Sequence, residues 1–407
     1  MQFPLWSLVQ QLSLLSTAVT AGMTLVPAGI AVVVVRSAAR SAQRRLVLAS
    51  AMGTGGVLAA AAARRWAGHE GFDTSTAPIA VWMALAVMVA LTVALALGWG
   101  RTSWAMRGVA VVGVLIGITT SMLGVNNWIG YYPTVGALVD AATGREPVPL
   151  GGIAAIRASR LRGQIPQGGR AFVLPRSAGD SFRARTEYVW LPPAWFDHGD
   201  HSFDVVVLIP GVINTPRDWI VSGGAIDSAQ DWARRHSGRA PILVFADPSG
   251  ALSNDTECVN GPRGRAETHL TTEMVRRLDS ALADGRPRDL VVAGWSMGGT
   301  CAMTLAARHR QLFPRFISIS GDPRPSVVGG PSATTRELFA GRRDALQQHS
   351  IVTLATAMPA GSVAGFLAAS YRRGTPPGRS KEVQTVQMVS SALGRTRQVA
   401  TTVVKPG

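Results

Sequence analysis

A serine stands between two glycines at the end of an apolar segment, in the order Gly294-Trp295-Ser296-Met297-Gly298. This spacing is typical of a nucleophile elbow, a sharp turn from a strand into a helix that exposes a serine hydroxyl. The glycines are needed because a side chain at either position would collide with the neighbouring strand or helix. The pattern therefore predicts that Ser296 attacks an ester carbonyl and forms an acyl-enzyme.

The attacked carbonyl needs two backbone N–H donors to stabilise its oxyanion. One donor comes from the residue after the nucleophile, which is Met297, and the other from the loop after an early strand. The segment Leu208-Ile209-Pro210-Gly211-Val212 reads as such a strand and loop, so we predict the N–H of Val212 as the second donor. An ordinary strand-ending turn is the alternative reading of this segment.

Two carboxylates compete for the acid of a catalytic triad. Glu382 follows a late apolar segment, where the order of the sheet requires the acid, and it is our preferred candidate. Asp322 is the rival because it ends the strand that follows the elbow helix. Either residue also fits a surface or helix-capping role, and Ser380 to Glu382 resembles the start of a helix.

None of the candidate histidines has the position in the chain that is typical of the base of such a triad. In a triad built on this elbow the histidine comes last in the chain. His309 lies on the helix behind the elbow and should face away from the serine, His349 precedes the strand that leads to the acid, and His269 precedes the serine. We expect these three to be solvated or capping residues rather than the base.

Cys258 and Cys301 are the only two cysteines of the chain. A disulfide bond between them is expected if this part of the protein lies in an oxidising compartment. Two separate buried thiols are the alternative. Neither an HExxH motif nor a cysteine pair at zinc spacing occurs, so we expect no metal and no cofactor.

The first third of the chain is nearly free of charge and holds four long apolar runs, each about the ~20 residues that cross a bilayer as a helix. We therefore predict a transmembrane region over residues 1–125. Its helices are expected at about 13–35, 46–63, 79–99 and 108–124.

The arginines between these runs predict how the chain is oriented. The first loop holds Arg36, Arg40, Arg44 and Arg45, the third holds Arg101 and Arg107, and the second mixes Arg64 and Arg65 with Glu70 and Asp73. Because short basic loops stay cytoplasmic, an even number of spans places the N-terminus and everything after about residue 125 outside.

The net charge of +16 is almost wholly due to arginine. No groove-reading motif accompanies it, so we expect no nucleic-acid partner. A solvated surface beside anionic lipid headgroups accounts for the charge more simply.

After a linker over 126–168, residues 169–407 alternate between strands and helices, which indicates an α/β sheet with helices on both faces. The strands are expected at 171–174, 187–191, 204–209, 241–246, 290–294, 315–319, 363–369 and 399–404. The helices are expected at 225–236, 267–282, 298–310 and 380–393.

Three stretches of this domain resemble the esterase D and antigen 85 family: Leu208–Val212, the pair Asp255–Val259 and Glu267–Thr271, and Gly294–Gly299. The resemblance covers about residues 170–407, and the membrane spans resemble a membrane-anchored branch of bacterial members. It implies an α/β-hydrolase fold with Ser296 as nucleophile, Val212 and Met297 as oxyanion donors and Glu382 as acid. The family's histidine follows the last strand, whereas this sequence reaches Lys405-Pro406-Gly407 at that point, so we expect impaired catalysis.

The function expected from these features is that of a membrane-anchored, extracytoplasmic serine esterase or acyltransferase. Its substrate would be a lipid or cell-envelope ester. The alternative is a degenerate or truncated relative without activity that serves as a lipid-binding or envelope scaffold protein.

Overall fold

The computed structural model describes residues 8–15, 17–39, 41–69, 74, 77–129, 131–143, 148–197, 202–251, 253–283, 289–371, 376–395 and 399–406. The chain forms two compact units, Met1–Arg145 and Glu146–Gly407, and the division falls inside the segment expected to be a linker. The predictions made for Arg40, Glu70, Asp73 and Gly407 lie outside the described residues.

The N-terminal unit is helical. Its described helices are α1 Thr17–Ala38, α2 Ala42–His69, α3 Ile79–Gly98, α4 Trp104–Ile129 and α5 Val135–Ala142. Within the described residues, three segments are long and apolar enough to cross a membrane, namely Ala42–Ala67, Ile79–Arg101 and Trp104–Trp128. The apolar part of α1, Thr24–Ala38, is shorter, so the expected count of four spans is only approximate.

The helices extend beyond the apolar runs that predicted them. Arg64 and Arg65 lie within α2 and not in the second loop, which corrects the expectation for this segment. The reason is that long arginine side chains reach toward the membrane surface while the backbone below them stays helical.

The C-terminal unit is built on an eight-stranded sheet. Its strands are β1 Arg170–Val173, β2 Tyr188–Leu191, β3 Val205–Ile209, β4 Ile242–Phe245, β5 Leu290–Trp295, β6 Arg315–Ile319, β7 Ala364–Tyr371 and β8 Val399–Pro406. Their order is β1-β2-β4-β3-β5-β6-β7-β8, and all neighbours from β4 to β8 are parallel while β2 is antiparallel to both of its neighbours. This is the mainly parallel sheet of an α/β hydrolase, as predicted.

Helices cover both faces of the sheet. The described ones are α6 Ile153–Leu161, α7 Pro216–Val221, α8 Ala225–Arg235, α9 Ala266–Thr268, α10 Met274–Leu282, α11 Met297–Arg308, α12 Gly330–Phe339, α13 Arg343–Gln347, α14 Ile351–Ala355 and α15 Lys381–Arg395. A π-helical turn, His269–Glu273, joins α9 to α10, so His269 lies within the helical segment expected at 267–282. Helices α5 and α6 lie within the segment expected to be a linker.

Alternation along the strands divides the apolar residues between two cores. Val205, Val207 and Ile209 of β3 belong to one hydrophobic cluster, whereas Leu208 belongs to the other. Successive side chains of a strand point to opposite faces, so a run of apolar residues packs against helices on both sides. The elbow therefore sits at the end of a strand that is buried on both faces.

Candidate active site

Ser296 stands at the turn between β5 and α11. Its backbone has φ 54° and ψ −123°, a combination that residues other than glycine rarely adopt. The residue is exposed although the strand before it and the helix after it are buried. Strained backbone of this kind persists where the surrounding structure enforces it, which is common at functional sites.

Two glycines allow this turn to pack closely. A Cβ on Gly294 would lie 2.2 Å from the carbonyl oxygen of Gly298, and a Cβ on Gly298 would lie 2.2 Å from the carbonyl oxygen of Ile209. Both distances are shorter than real atoms permit, as the sequence pattern predicted. The first turn of α11 is therefore pressed against the end of β3.

This packing brings the two predicted oxyanion donors to the same end of the sheet. Met297 is the first residue of α11, and N–H groups in the first turn of a helix have no acceptor within it. Val212 follows Gly211, where an added Cβ would lie 3.0 Å from the ring nitrogen of Trp295. The loop after β3 is thus adjacent to the elbow, which is where a second donor is needed.

An aromatic pair lies beside the same loop. The ring centroids of Trp219, on α7, and Trp295 are 4.2 Å apart. Both side chains are half-buried. They form an apolar surface next to the serine.

Both acid candidates lie in segments that meet near the elbow. The N–H of Asp322 donates to Oγ1 of Thr300, in the first turns of α11, at 2.9 Å. Glu382 is the second residue of α15, and its carboxylate accepts a hydrogen bond from the Ser380 hydroxyl at 2.5 Å. The neighbouring Lys381 Nζ lies 3.8 Å from Asp322 Oδ1, so the start of α15 adjoins the loop after β6.

In the described part of the chain, no hydrogen bond joins a histidine to Ser296. His269 is fully buried, with Nε2 3.0 Å from Glu187 Oε1 and Nδ1 3.5 Å from Glu273 Oε2. The expectation that it is solvated or capping is wrong, because the carboxylates of Glu187 and Glu273 lie against its ring nitrogens and make its burial possible. Burial opposes ionisation of Glu273, but hydrogen bonds from Ser181 hold the pKa of that carboxyl below its usual range.

The other two histidines bind one carboxylate at the far end of α11. His309 Nε2 lies 2.8 Å from Glu267 Oε1, and His349 Nε2 lies 3.7 Å from Glu267 Oε2. Arg308 Nε also donates to Glu267, at 2.8 Å. Burial opposes ionisation of Glu267, but these hydrogen bonds lower its pKa well below the usual range. A helix of this length spans about 18 Å, so this cluster is remote from Ser296.

A disulfide bond joins Cys258 to Cys301, with the two sulfur atoms 2.06 Å apart. It ties the segment after β4 to α11, one turn beyond the serine. Glu257 and Cys258 both have positive φ, at 47° and 54°. The segment is therefore held in a strained conformation beside the elbow.

Two carboxyl groups of this segment were not assigned a role from the sequence. Burial raises the pKa of Asp255 to about 6. Burial, and next the charge of Asp255, raise the pKa of Glu257 well above its usual range. The only sequence signal for them is their position next to Cys258, in a stretch that carries the family resemblance.

No group of three or more possible metal ligands occurs among the described residues.

Comparisons with known proteins agree with this architecture. Residues 182–376 match the family model described as "Putative esterase". An uncharacterised protein of Corynebacterium glutamicum is 30% identical over 167 residues, which are 41% of this chain and 39% of that relative. The match thus spans less than half of the relative's length.

Several solved structures are similar to more than half of this chain. They include a ferulic acid esterase with TM-score 0.45 and 17% identity, covering 59% of this chain and 90% of that one. The S-formylglutathione hydrolase of Agrobacterium tumefaciens has TM-score 0.44, 15% identity and coverage of 59% and 88%. MPT51 of Mycobacterium tuberculosis has TM-score 0.41, 16% identity and coverage of 56% and 90%.

The matched segment contains the elbow, the loop after β3 and the disulfide-bonded segment. Residues 182–376 of the C-terminal unit are thus similar to an esterase family, on a sheet with the order and directions of an α/β hydrolase.

Proposed function

We propose that the protein is a membrane-anchored serine esterase or acyltransferase that acts outside the cytoplasm on a lipid or cell-envelope ester. The observation that carries this proposal is the exposed Ser296 with its strained backbone at a strand-to-helix turn, within the esterase match. The three apolar helices support the membrane anchor. The arginines at their ends support an outer C-terminal unit.

In this mechanism Ser296 Oγ attacks the ester carbonyl carbon, and the hydroxyl proton passes to a base. The N–H groups of Met297 and Val212 stabilise the oxyanion until the alcohol leaves. Water or a second hydroxyl then attacks the acyl-enzyme. His269, His309 and His349 are not the base, because each binds carboxylates elsewhere.

The acid of the mechanism is Glu382 or Asp322, with Glu382 favoured by the family resemblance. Replacing the true acid should lower kcat by several orders of magnitude, whereas replacing the other should change it little. Kinetics of Glu382→Gln and Asp322→Asn, each purified as the full chain in detergent, will separate the two. Asp322→Asn as the more damaging change would reverse the assignment.

Labelling with a fluorophosphonate probe tests the proposal directly. We expect the folded full-length protein to be labelled slowly at Ser296 and to hydrolyse short-chain nitrophenyl esters slowly, because no histidine is hydrogen-bonded to Ser296 within the described residues, and we expect Ser296→Ala to lose both. Ser332→Ala, which removes an exposed serine on α12, is the matched control and should retain both. A folded protein that shows neither property would contradict the proposal and favour the non-catalytic lipid-binding or scaffold alternative.

A further inference from the structure

Three carboxylates from two loops meet beside the elbow, and we call Asp255, Glu257 and Asp322 the acidic cluster. Both loops are attached to the start of α11. The loop after β6 is attached by the hydrogen bond from the Asp322 N–H to Thr300 Oγ1, and the other loop by the disulfide from Cys258 to Cys301. The acidic cluster therefore lies beside the first two turns of α11, the helix that begins directly after Ser296.

Ser326 connects the two loops. Its backbone N–H donates to Glu257 Oε1 at 3.3 Å, and its hydroxyl donates to Asp322 Oδ2 at 3.0 Å. Glu257 is buried, whereas the Asp322 side chain is 36% exposed. The acidic cluster is thus buried at Glu257 and accessible to solvent at Asp322.

Two carboxylate oxygens of the cluster have no hydrogen-bond donor within the described residues. They are Glu257 Oε2 and Asp255 Oδ1, both buried. The cations beside the cluster do not bind these two oxygens: Arg263 donates to the Asp255 carbonyl oxygen and to Glu337 Oε2, and Lys381 Nζ lies 3.8 Å from Asp322 Oδ1. Buried acceptors without donors are costly, so this arrangement suits a ligand that supplies donors and positive charge.

An alkylammonium group fits these requirements. It carries one positive charge and several N–H donors, and charge-assisted hydrogen bonds to carboxylates are strong. A divalent cation fits less well, because such ions need about six oxygen ligands, whereas the cluster offers two unpaired carboxylate oxygens. Burial raises the pKa of both Asp255 and Glu257, and a bound cation would favour their charged forms.

We propose that the acidic cluster binds an ammonium group on the acyl part of the substrate. Because both loops of the cluster are attached to the first turns of α11, next to Ser296, the ammonium group would belong to the acyl part of the bound ester, as in an ester of an amino acid with a free amino group. The inference rests on the proposed function for the identity of the attacked bond. The binding of the ammonium group can be tested without any reaction.

The binding test compares L-alaninamide with isobutyramide, which differ only by an ammonium group in place of a methyl group. We expect the full-length protein in detergent to bind L-alaninamide at least about tenfold more tightly, as one or two charge-assisted hydrogen bonds predict. Glu257→Gln should reduce this preference at least about fivefold. If Glu257→Gln does not fold, Asp255→Asn takes its place in the same measurement. Asp344→Asn, which removes an exposed acid on α13, should keep the preference.

Equal affinity for the two amides would overturn the proposal. Stabilisation of the protein by CaCl2 or MgCl2, with none by L-alaninamide, would also overturn it and assign the cluster to a metal.

The catalytic test uses L-alanine methyl ester and methyl isobutyrate, with kcat/KM compared within each variant. In the native protein we expect kcat/KM to be at least about ten times higher for L-alanine methyl ester than for methyl isobutyrate. In Glu257→Gln this ratio should fall. Hydrolysis of both esters at a ratio near one contradicts only the ammonium site. A preference for L-alaninamide in binding, without hydrolysis of either ester, contradicts only the proposed function.

Discussion

Ser296 holds a backbone conformation that costs of order 1–3 kcal/mol for a residue with a side chain. Glycine adopts such conformations at little cost. The strain should therefore be measurable as a difference between two variants that both lack the hydroxyl.

We predict that Ser296→Gly is more stable than Ser296→Ala by about 1 kcal/mol or more, since only glycine relieves the strain. Thermal unfolding of the full-length variants in detergent provides the measurement. Neither variant should react with a fluorophosphonate, so the difference arises from the backbone alone. Equal stability of the two variants would mean that the turn is unstrained.

The carboxylate of Glu267 should stabilise the fold in a pH-dependent way. Its folded-state pKa is lowered because His309, His349 and Arg308 bind the charged form, which outweighs its burial. A lowered pKa means that the stabilisation is complete above the unfolded-state pKa, about 4.3, and declines as pH falls below it.

We predict that Glu267→Gln lowers the free energy of unfolding by about 2–4 kcal/mol at pH 7, because it leaves partly buried cations unpaired. The difference from the native protein should shrink below about pH 4. Asp231→Asn, which breaks the exposed pair with Arg234, is the control and should change stability by less than about 1 kcal/mol. A loss that stays constant down to pH 3 would contradict the linkage.

At the scale of elements, the disulfide fastens the segment after β4 to α11. The cysteines are 43 residues apart in the chain. Closing a loop of that length is worth about 4 kcal/mol in the chain-entropy model.

We predict that the double variant Cys258→Ser with Cys301→Ser unfolds at a lower temperature, corresponding to a loss of about 3–4 kcal/mol. Dithiothreitol should lower the unfolding temperature of the native protein and leave that of the double variant unchanged. Mass spectrometry of unreduced peptides from the native envelope should show the linked pair. Two free thiols there would contradict the prediction.

The strands of the sheet were predictable within two residues, because runs such as Val205–Ile209 are apolar, β-branched and bounded by turns. The helices α12 to α14 were not predicted, since they are short and their apolar faces pack on only part of the core. The elbow was readable because its glycines and serine are adjacent in sequence. The acidic cluster was not, because Asp322 and Glu257 meet only through the fold.

The histidines illustrate the same limit. His269, on the π-turn, and Glu187, before β2, are far apart in the chain, and nothing local to either predicts that they meet. Position along the chain indicated that these histidines are not the base. It gave no indication that His269 and His349 are buried and contact carboxylates.

At the scale of the whole molecule, orientation in the membrane follows from the arginines at the helix ends. Arg44 and Arg45 lie in the first turn of α2, and Arg101 and Arg107 lie at the junction of α3 and α4. Positive residues at short connections remain cytoplasmic.

We predict that Ser41 lies inside and Ala155 outside the cytoplasmic membrane. With Cys258 and Cys301 in a disulfide, Ser41→Cys and Ala155→Cys each introduce a single free thiol at an exposed position. A membrane-impermeant maleimide should label Ala155→Cys in intact spheroplasts and label Ser41→Cys only after permeabilisation. The opposite pattern would reverse the orientation.

The disulfide between Cys258 and Cys301 also closes part of the chain into a covalent ring that contains α9, α10, β5 and Ser296. A protease that cuts this ring once opens it but releases no fragment, since both new ends remain tied through sulfur. Such a nicked chain would migrate at its full mass on a gel until it is reduced. Ser296 thus stays attached to both halves of its sheet even after the peptide chain around it has been broken.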